Sequence, residues 1–343
     1  MKNWIRTSVA AAAVATAFTA TTAWAGKDLD AIKARGQLIC GVGPSSAGFY
    51  LLGGDGKWSG IDVDVCRAIA AAILGDSEKV KYVPASAQQR FQQVQSGEVD
   101  ILSRTTTWTL TRDTALGLDF GHITYYDGQG FMVPKKLGVK SAKELGGATV
   151  CVQPGTTTEL NLADYFRANN MQFKSVVIEN RDEVEQAFYS GRCDVYTNDA
   201  SGLASSRTTR APKPDDYVIL PELISKEPLA PAFRHGDNQF GDIVRWAVYA
   251  MLEAEEYGIT AANVDKMKAE NTNPVIKRIL GTTPGMGKAL GLDDDWAYRI
   301  IKQVGNYGES FERNMGDKSA LKLPRGLNRL WTQGGLQYAP PIR

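Results

Sequence analysis

The sequence predicts an α/β protein built from two similar lobes, on three observations. Strand-like and helix-like segments alternate from Leu38 to Asp199, the pattern of parallel sheets with crossover helices. The alternation runs twice with the same punctuation. "QSGEVDIL" (95–102) and "YSGRCDVY" (189–196) each end a helix on Ser-Gly and enter an apolar strand after an Asp. Finally, the hydroxyl-rich runs "RTTTWTLTRD" (104–113) and "QPGTTTE" (153–159) directly follow apolar strands, where open α/β sheets bind their ligands. A chain of 343 residues, 43% apolar and 22% charged, is long enough for two medium domains with real cores.

The first 25 residues stand apart. Lys2 and Arg6 precede the apolar run "SVAAAAVATAFTA", and Ala23-Trp24-Ala25 supplies a small-x-small cleavage signal, so a secretory signal peptide cut after Ala25 is expected. The run is too short for a good membrane span, and no later stretch reaches ~18 consecutive apolar residues. Loss of Lys2 and Arg6 takes the net charge from +1 to −1. No strong field results, and nucleic acid is not an expected partner. In an oxidising compartment the four cysteines suggest two disulfides. Three pairings are open. Cys40–Cys66 and Cys151–Cys193 are favoured because the cysteines fall in two separated pairs, each of which would then lie within one lobe.

Taken in order, "GQLICGVG" (36–43) reads as a strand breaking into a glycine loop. "GIDVDVCRAIAAAILG" (60–75) reads as a helix with Asp62 as N-cap and Gly75 as its stop. "KVKYVPA" is a strand, and "QQRFQQVQSGEVDILS" a helix, turn and strand. The second round is "ATVCVQPGTTTELNLADYFRAN" (148–169), then "KSVVIEN", then "RDEVEQAFYSGRCDVYTND". "SKEPLAPAFRHGDN" (225–238) is extended and "FGDIVRWAVYAMLEAEEYG" (240–258) a long helix, with further helical pieces at "DDDWAYRIIKQVGNYGESFERNMG" and "LNRLWTQGGL". "GTTPGMGKALG" (281–291) reads as a loop.

Several chemistries find no support. "GVGPSSAG" lacks the third glycine of a dinucleotide fingerprint, and "GTTPGMGKA" has the wrong spacing for a P-loop. The two histidines, His122 and His235, have no HxxxH or CxxC company, so no metal and no cofactor are expected. There is no GxSxG elbow. What remains is four polar loops after strands: "GPSS" (43–46), "RTTTWTLTRD", "QPGTTTE" and "TND" (197–199). Arg112 offers a two-toothed grip on a carboxylate. Threonine hydroxyls and backbone N–H groups at a helix start favour an anion. Asp199 suits an ammonium. Together these describe an α-amino acid. Taken singly, Arg112 would more often form a surface ion pair with Asp113 or Asp119, and Asp199 would more often cap the following helix. Trp108 reads as core packing, and neither it nor Arg104 is expected at the site.

"GKWSGIDVDVCRAIAAAI", "RFQQVQSGEVDIL", "TTTWTLTRD", "LGLDFGHITYYDGQGFMV", "ELGGATVCVQPGTTTE" and "SGRCDVYTNDASGL" together resemble, in motif order and over nearly the whole mature chain, the amino-acid-binding proteins of polar amino-acid ABC uptake systems, of the general L-amino-acid-binding periplasmic type within bacterial solute-binding protein family 3. The resemblance implies the two-lobed periplasmic-binding-protein type II fold, with two hinge strands and the ligand cleft between lobes. It places residues 26–133 and 233–343 in the first lobe and 134–232 in the second, with "GQGFMVP" (128–134) leaving and "APAFRHG" (230–236) returning. It implies Arg112 on the ligand carboxylate, Thr105 and Thr107 supplying hydroxyl and backbone groups, Thr156 or Thr157 from the second lobe, and Asp199 on the ammonium. Arg90, Ser45, Ser46 and Arg181 would line the side-chain pocket. Gly43 stands where readers of charged amino acids place a charge, which points to a broad pocket for polar L-amino acids. The implied partner is an inner-membrane ABC permease and the implied state a periplasmic monomer. An exported dehydratase on the same fold, acting on prephenate or arogenate, is the rival; the matched loops show no extra Glu or His to serve as its general acid.

Overall fold

The computed structural model describes residues 27–343, so the signal segment and its cut after Ala25 lie outside the described residues. Two five-stranded sheets carry the fold. In the first, Val80–Pro84, Leu38–Val42 and Ile101–Leu102 run parallel, and Ala232–Arg234 joins antiparallel between Ile101–Leu102 and Leu118–Phe120. In the second, Lys174–Val177, Thr149–Val152 and Val195–Asp199 run parallel, and Gln129–Pro134 joins antiparallel between Val195–Asp199 and Tyr217–Ile219. The two lobes thus share one plan, each completed by a strand that arrives from the other.

The repeated Ser-Gly-x-x-Asp stretch has the same physical job in both lobes. Gly97 and Gly191 take φ of 81° and 83°, the left-handed turn that favours glycine at a helix end. Asp100 and Asp194 then each bind the head of the neighbouring parallel strand. Asp100 accepts from the Ile39 amide at 2.7 Å, and Asp194 from the Thr149 amide at 2.8 Å. In both, the Asp amide donates back to the same strand, to Ile39 and Thr149 carbonyls at 2.9 Å.

The chain crosses between the sheets at Tyr125–Asp127 and Glu227–Leu229, which pair antiparallel with Glu227 opposite Asp127. The segment 128–134, expected to make the crossing, instead pairs from Gln129 onward with Asp199–Tyr196, inside the second sheet. Gly128, Gly130 and the apolar run 131–133 that follows read equally well as hinge or as sheet, and the strand partners decide.

The disulfides are Cys40–Cys66, from the strand Leu38–Val42 to the helix Ile61–Leu74, and Cys151–Cys193, from the strand Thr149–Val152 to the turn before Val195–Asp199, with Cα separations of 6.3 and 5.7 Å. The helix Asn238–Glu256 packs its apolar face with Ile61–Leu74, Trp296–Gln303 and Tyr307–Asn314 in the largest core cluster, on the first lobe. Asp64 accepts from Ser310, Arg313 and Asn314 at 2.6–2.7 Å and fixes that C-terminal layer to the helix Ile61–Leu74.

Three local expectations change. The N-cap of Ile61–Leu74 is Gly60, at φ 132°, and not Asp62. A Cβ at Gly60 would lie 2.0 Å from the Phe49 carbonyl oxygen, so the chain closes there only with glycine. "GTTPGMGKALG" contains a one-turn helix, Met286–Leu290, too short to leave a periodic signal. "LNRLWTQGGL" forms only two 3₁₀ turns, Gly326–Asn328 and Trp331–Gln333, since Gly334 and Gly335 stop propagation.

Candidate ligand-binding cleft

The polar loops meet where the lobes face each other. Thr105, Thr107, Arg90, Arg104, Tyr50 and Ala87 from the first lobe, and Gln153, Thr156, Thr157, Thr158, Arg181, Asn198 and Asp199 from the second, enclose a cavity of ≈ 40 Å³. That is room for a few waters, so a free amino acid fits only with the lobes further apart than here.

Each loop is held by its own chemistry. Asp62, freed from capping, turns its carboxylate on the 103–105 loop and accepts from the Thr105 amide at 2.8 Å and the Ser103 hydroxyl at 3.1 Å. These bonds hold Thr105 at φ 40°, a left-handed conformation that a β-branched residue adopts only under constraint. Burial raises the Asp62 carboxyl to about 6 despite these donors. The Thr105 hydroxyl meets the Tyr50 hydroxyl at 3.2 Å. Thr109 caps the short helix Leu110–Thr114, which brings Arg112 back over Thr107, and Arg112 Nη1 donates to the Thr107 carbonyl at 2.8 Å. In the second lobe Thr156 caps the helix Thr157–Ala168, accepting from the Glu159 amide at 3.1 Å and donating to the Gln153 carbonyl at 2.8 Å. Its hydroxyl is thereby committed, and Thr157 is the threonine that reaches across, 3.4 Å from the Thr107 hydroxyl.

The electrostatics are lopsided. Arg90, Arg104 and Arg112 are 3%, 6% and 7% exposed. Burial, then the Arg104 and Arg112 cations, pushes the Arg90 guanidinium well below its ordinary range, and its Nε has no hydrogen-bond partner in the protein. Burial likewise lowers Arg104, whose Nε donates to the Ala85 carbonyl at 3.0 Å. Burial lowers Arg112 to about 10, with Glu227 and Asp199 opposing that fall. Burial works against the Arg181 charge too, but the Glu185 carboxylate at 3.0 Å more than compensates and holds it above the ordinary range. Asp199 occupies the N-cap position of Ala200–Thr209 yet makes no capping bond. Burial, and then the nearby Asp127 and Glu227 carboxylates, hold its carboxyl well above the ordinary range.

Of the residues expected from the sequence, Thr105, Thr107, Thr156, Thr157, Asp199, Arg90 and Arg181 line the cavity. Arg112 stands behind Thr107, over the Phe91 ring at 5.0 Å, and not in a surface ion pair. Ser45 and Ser46 do not reach the cavity. They line an outer pocket of ≈ 320 Å³ on the far side of Arg181, because the Tyr50 ring stands between. That ring also explains Gly43: a Cβ there would come within 2.2 Å of Tyr50, so the missing side chain makes room for the tyrosine. Arg104, set aside on sequence grounds, is a wall of the cavity. Trp108 stacks on Phe120 at 5.5 Å with its other face open, 40% exposed, so it covers the core edge and is not inside it. Glu227 is the largest omission. It is 1% exposed and takes four hydrogen bonds from both lobes, and its only sequence signal was an acid in an extended stretch between polar loops.

Among the described residues, Asp113, Asp119 and His235 form the one group that could offer a cation three ligands, within 4.8 Å of one another. None of them lines the cavity. His235 Nε2 lies 3.9 and 3.8 Å from the two carboxylates, at ion-pair distance once protonated.

Comparison with known proteins gives the same picture of the fold. The chain is 57% identical, over the full length of both proteins, to the general L-amino acid-binding periplasmic protein AapJ of Rhizobium johnstonii. It is 59% identical to the glutamate/glutamine/aspartate/asparagine-binding protein BztA of Rhodobacter capsulatus, over 97% of this chain and 96% of that one. The solved structure of a periplasmic binding protein from Brucella ovis with glutathione bound superposes with a TM-score of 0.90 at 56% identity, covering 92% of this chain and 99% of that one. Residues 38–262, which contain both sheets and every cavity residue, match the family model, and the chain belongs to the bacterial extracellular solute-binding proteins, family 3.

Proposed function

We propose that this protein is a periplasmic receptor that captures a polar L-amino acid between its lobes and delivers it to an inner-membrane ABC permease. The observation that carries the reading is the enclosed polar cavity between the lobes, with Asp199 on one side and an excess of buried arginines around it. Asp199 takes the ammonium. Arg112 and the Thr107 amide take the α-carboxylate, the Thr105 amide being already bonded to Asp62. Arg90, whose Nε lacks a protein partner, is free to serve a side-chain carboxylate or amide oxygen. The names of relatives at 57% and 59% identity, one a general L-amino acid binder and the other a binder of glutamate, glutamine, aspartate and asparagine, support a broad polar pocket with room for acids. The lobes are 128–226 and the remainder, with the crossing strands Tyr125–Asp127 and Glu227–Leu229 as hinge. We place the mature protein in the periplasm as a monomer, cut after Ala25.

The test is a calorimetric panel of the common L-amino acids, with prephenate and arogenate followed by mass spectrometry. One-to-one binding of polar amino acids without chemical change supports a receptor. Turnover of either dehydratase substrate, or no binding to any amino acid, would sink the proposal.

A further inference from the structure

Glu227 sits on the returning crossing strand, opposite Asp127, with no access to bulk solvent. Its Oε2 accepts from the Thr107 hydroxyl at 2.6 Å and the Thr157 hydroxyl at 2.9 Å. Its Oε1 accepts from Asn161 Nδ2 at 2.8 Å and the Ser225 hydroxyl at 2.6 Å. Thr107 belongs to the first lobe, and Thr157 and Asn161 begin the first helix of the second. One carboxylate therefore gathers donors from both lobes at the hinge itself. Thr107 also receives Arg112 on its carbonyl, so the network runs unbroken from Arg112 through Thr107 and Glu227 to Thr157 and Asn161.

We infer that Glu227 is the positioning residue of the cleft: it clasps the lobes shut and sets the polarity of the two threonine hydroxyls that face the ligand. The inference rests on the cleft being the amino-acid site. Two pieces of chemistry support it. A carboxylate only accepts, so Thr107 and Thr157 must each donate their single O–H to Glu227. Their lone pairs then face the cavity and accept from an ammonium beside Asp199, which leaves the carboxylate to Arg112 and backbone amides. In addition, when the lobes part, Thr157 and Asn161 leave with the second lobe. A buried carboxylate stripped of half its donors is costly, so the closed form is favoured by an element that touches no ligand.

Glu227→Gln keeps the shape but turns one acceptor into a donor, so at least one hydroxyl must reverse. In stopped-flow tryptophan fluorescence with L-glutamate, the expected result is a dissociation rate raised by roughly 10-fold or more, with an association rate within about 2-fold of wild type. Small-angle scattering of the ligand-saturated protein should show a larger radius of gyration. Asn161→Ala gives a second entry to the same bond without altering the cavity. The double variant's dissociation rate should rise by less than the product of the two single effects. An unchanged dissociation rate in Glu227→Gln, or strictly multiplicative effects in the double variant, would overturn the clasp. A wrong ligand site fails differently: Arg112→Ala would then leave affinity unchanged, whereas with only the clasp wrong it still abolishes binding.

Discussion

Thr107 and Thr157, fifty residues apart and on opposite lobes, bring their hydroxyl oxygens to 3.4 Å of one another. Each follows a parallel strand's C-terminal end, the position at which α/β sheets present ligand loops. Their meeting gives the lobes a closed arrangement around one cavity.

The Asp199 carboxyl titrates well above the ordinary range, first because it is buried and then because Asp127 and Glu227 stand near. An ammonium favours its ionised form, so binding expels a proton wherever the free site holds one. Affinity should therefore fall as pH is lowered, the direction set by linkage. The heat of binding at one pH should differ between phosphate and Tris buffers by the buffers' ionisation heats. Equal heats in both, or the same pH slope in Asp199→Asn, would exclude this proton release.

Arg90 is a buried cation with an unpartnered Nε and two cationic neighbours. An uncompensated buried charge is a burden on the ligand-free protein. Arg90→Met should leave the melting temperature unchanged or raise it. It should weaken L-glutamate by roughly 30-fold, about 2 kcal/mol, the worth of a charged hydrogen bond. L-Glutamine should change by no more than about 3-fold. Equal losses for both ligands would show that Arg90 does not read side-chain charge.

Asp62 ionises near 6 in the fold against 3.8 for the free side chain, because it is buried. The native state thus binds this proton more tightly than the unfolded chain. Stability from this group is greatest below about pH 4, declines through about pH 6 and is flat above, a total of about 3 kcal/mol. Urea unfolding of wild type and Asp62→Asn across that range should give curves that diverge in this window. Parallel curves would place the titration elsewhere.

Much of the fold could be read from the sequence because its signals are local. Gly97 and Gly191 stop helices where they stand, and Asp100 and Asp194 brace strands by a rule that repeats. The threonine loops were visible for the same reason. Glu227 was not, since its partners lie up to 120 residues away and nothing in "SKEPLAP" marks the acid as buried. The steric reason for Gly43, the Tyr50 ring, was not legible either, because it is a contact across the loop. Asp62 looked like a cap because capping is the common use of an acid at a helix start; only the fold brings the 103–105 loop against it.

With one amino acid held between Arg112 and Asp199, isothermal titration of L-glutamate into wild type, Arg112→Ala and Asp199→Ala reads out both grips. The expected result is one site per chain in wild type and a loss of roughly 100-fold or more in each variant, the cost of leaving a buried charge unpaired. Wild-type affinity in either variant, with the protein folded, would contradict it.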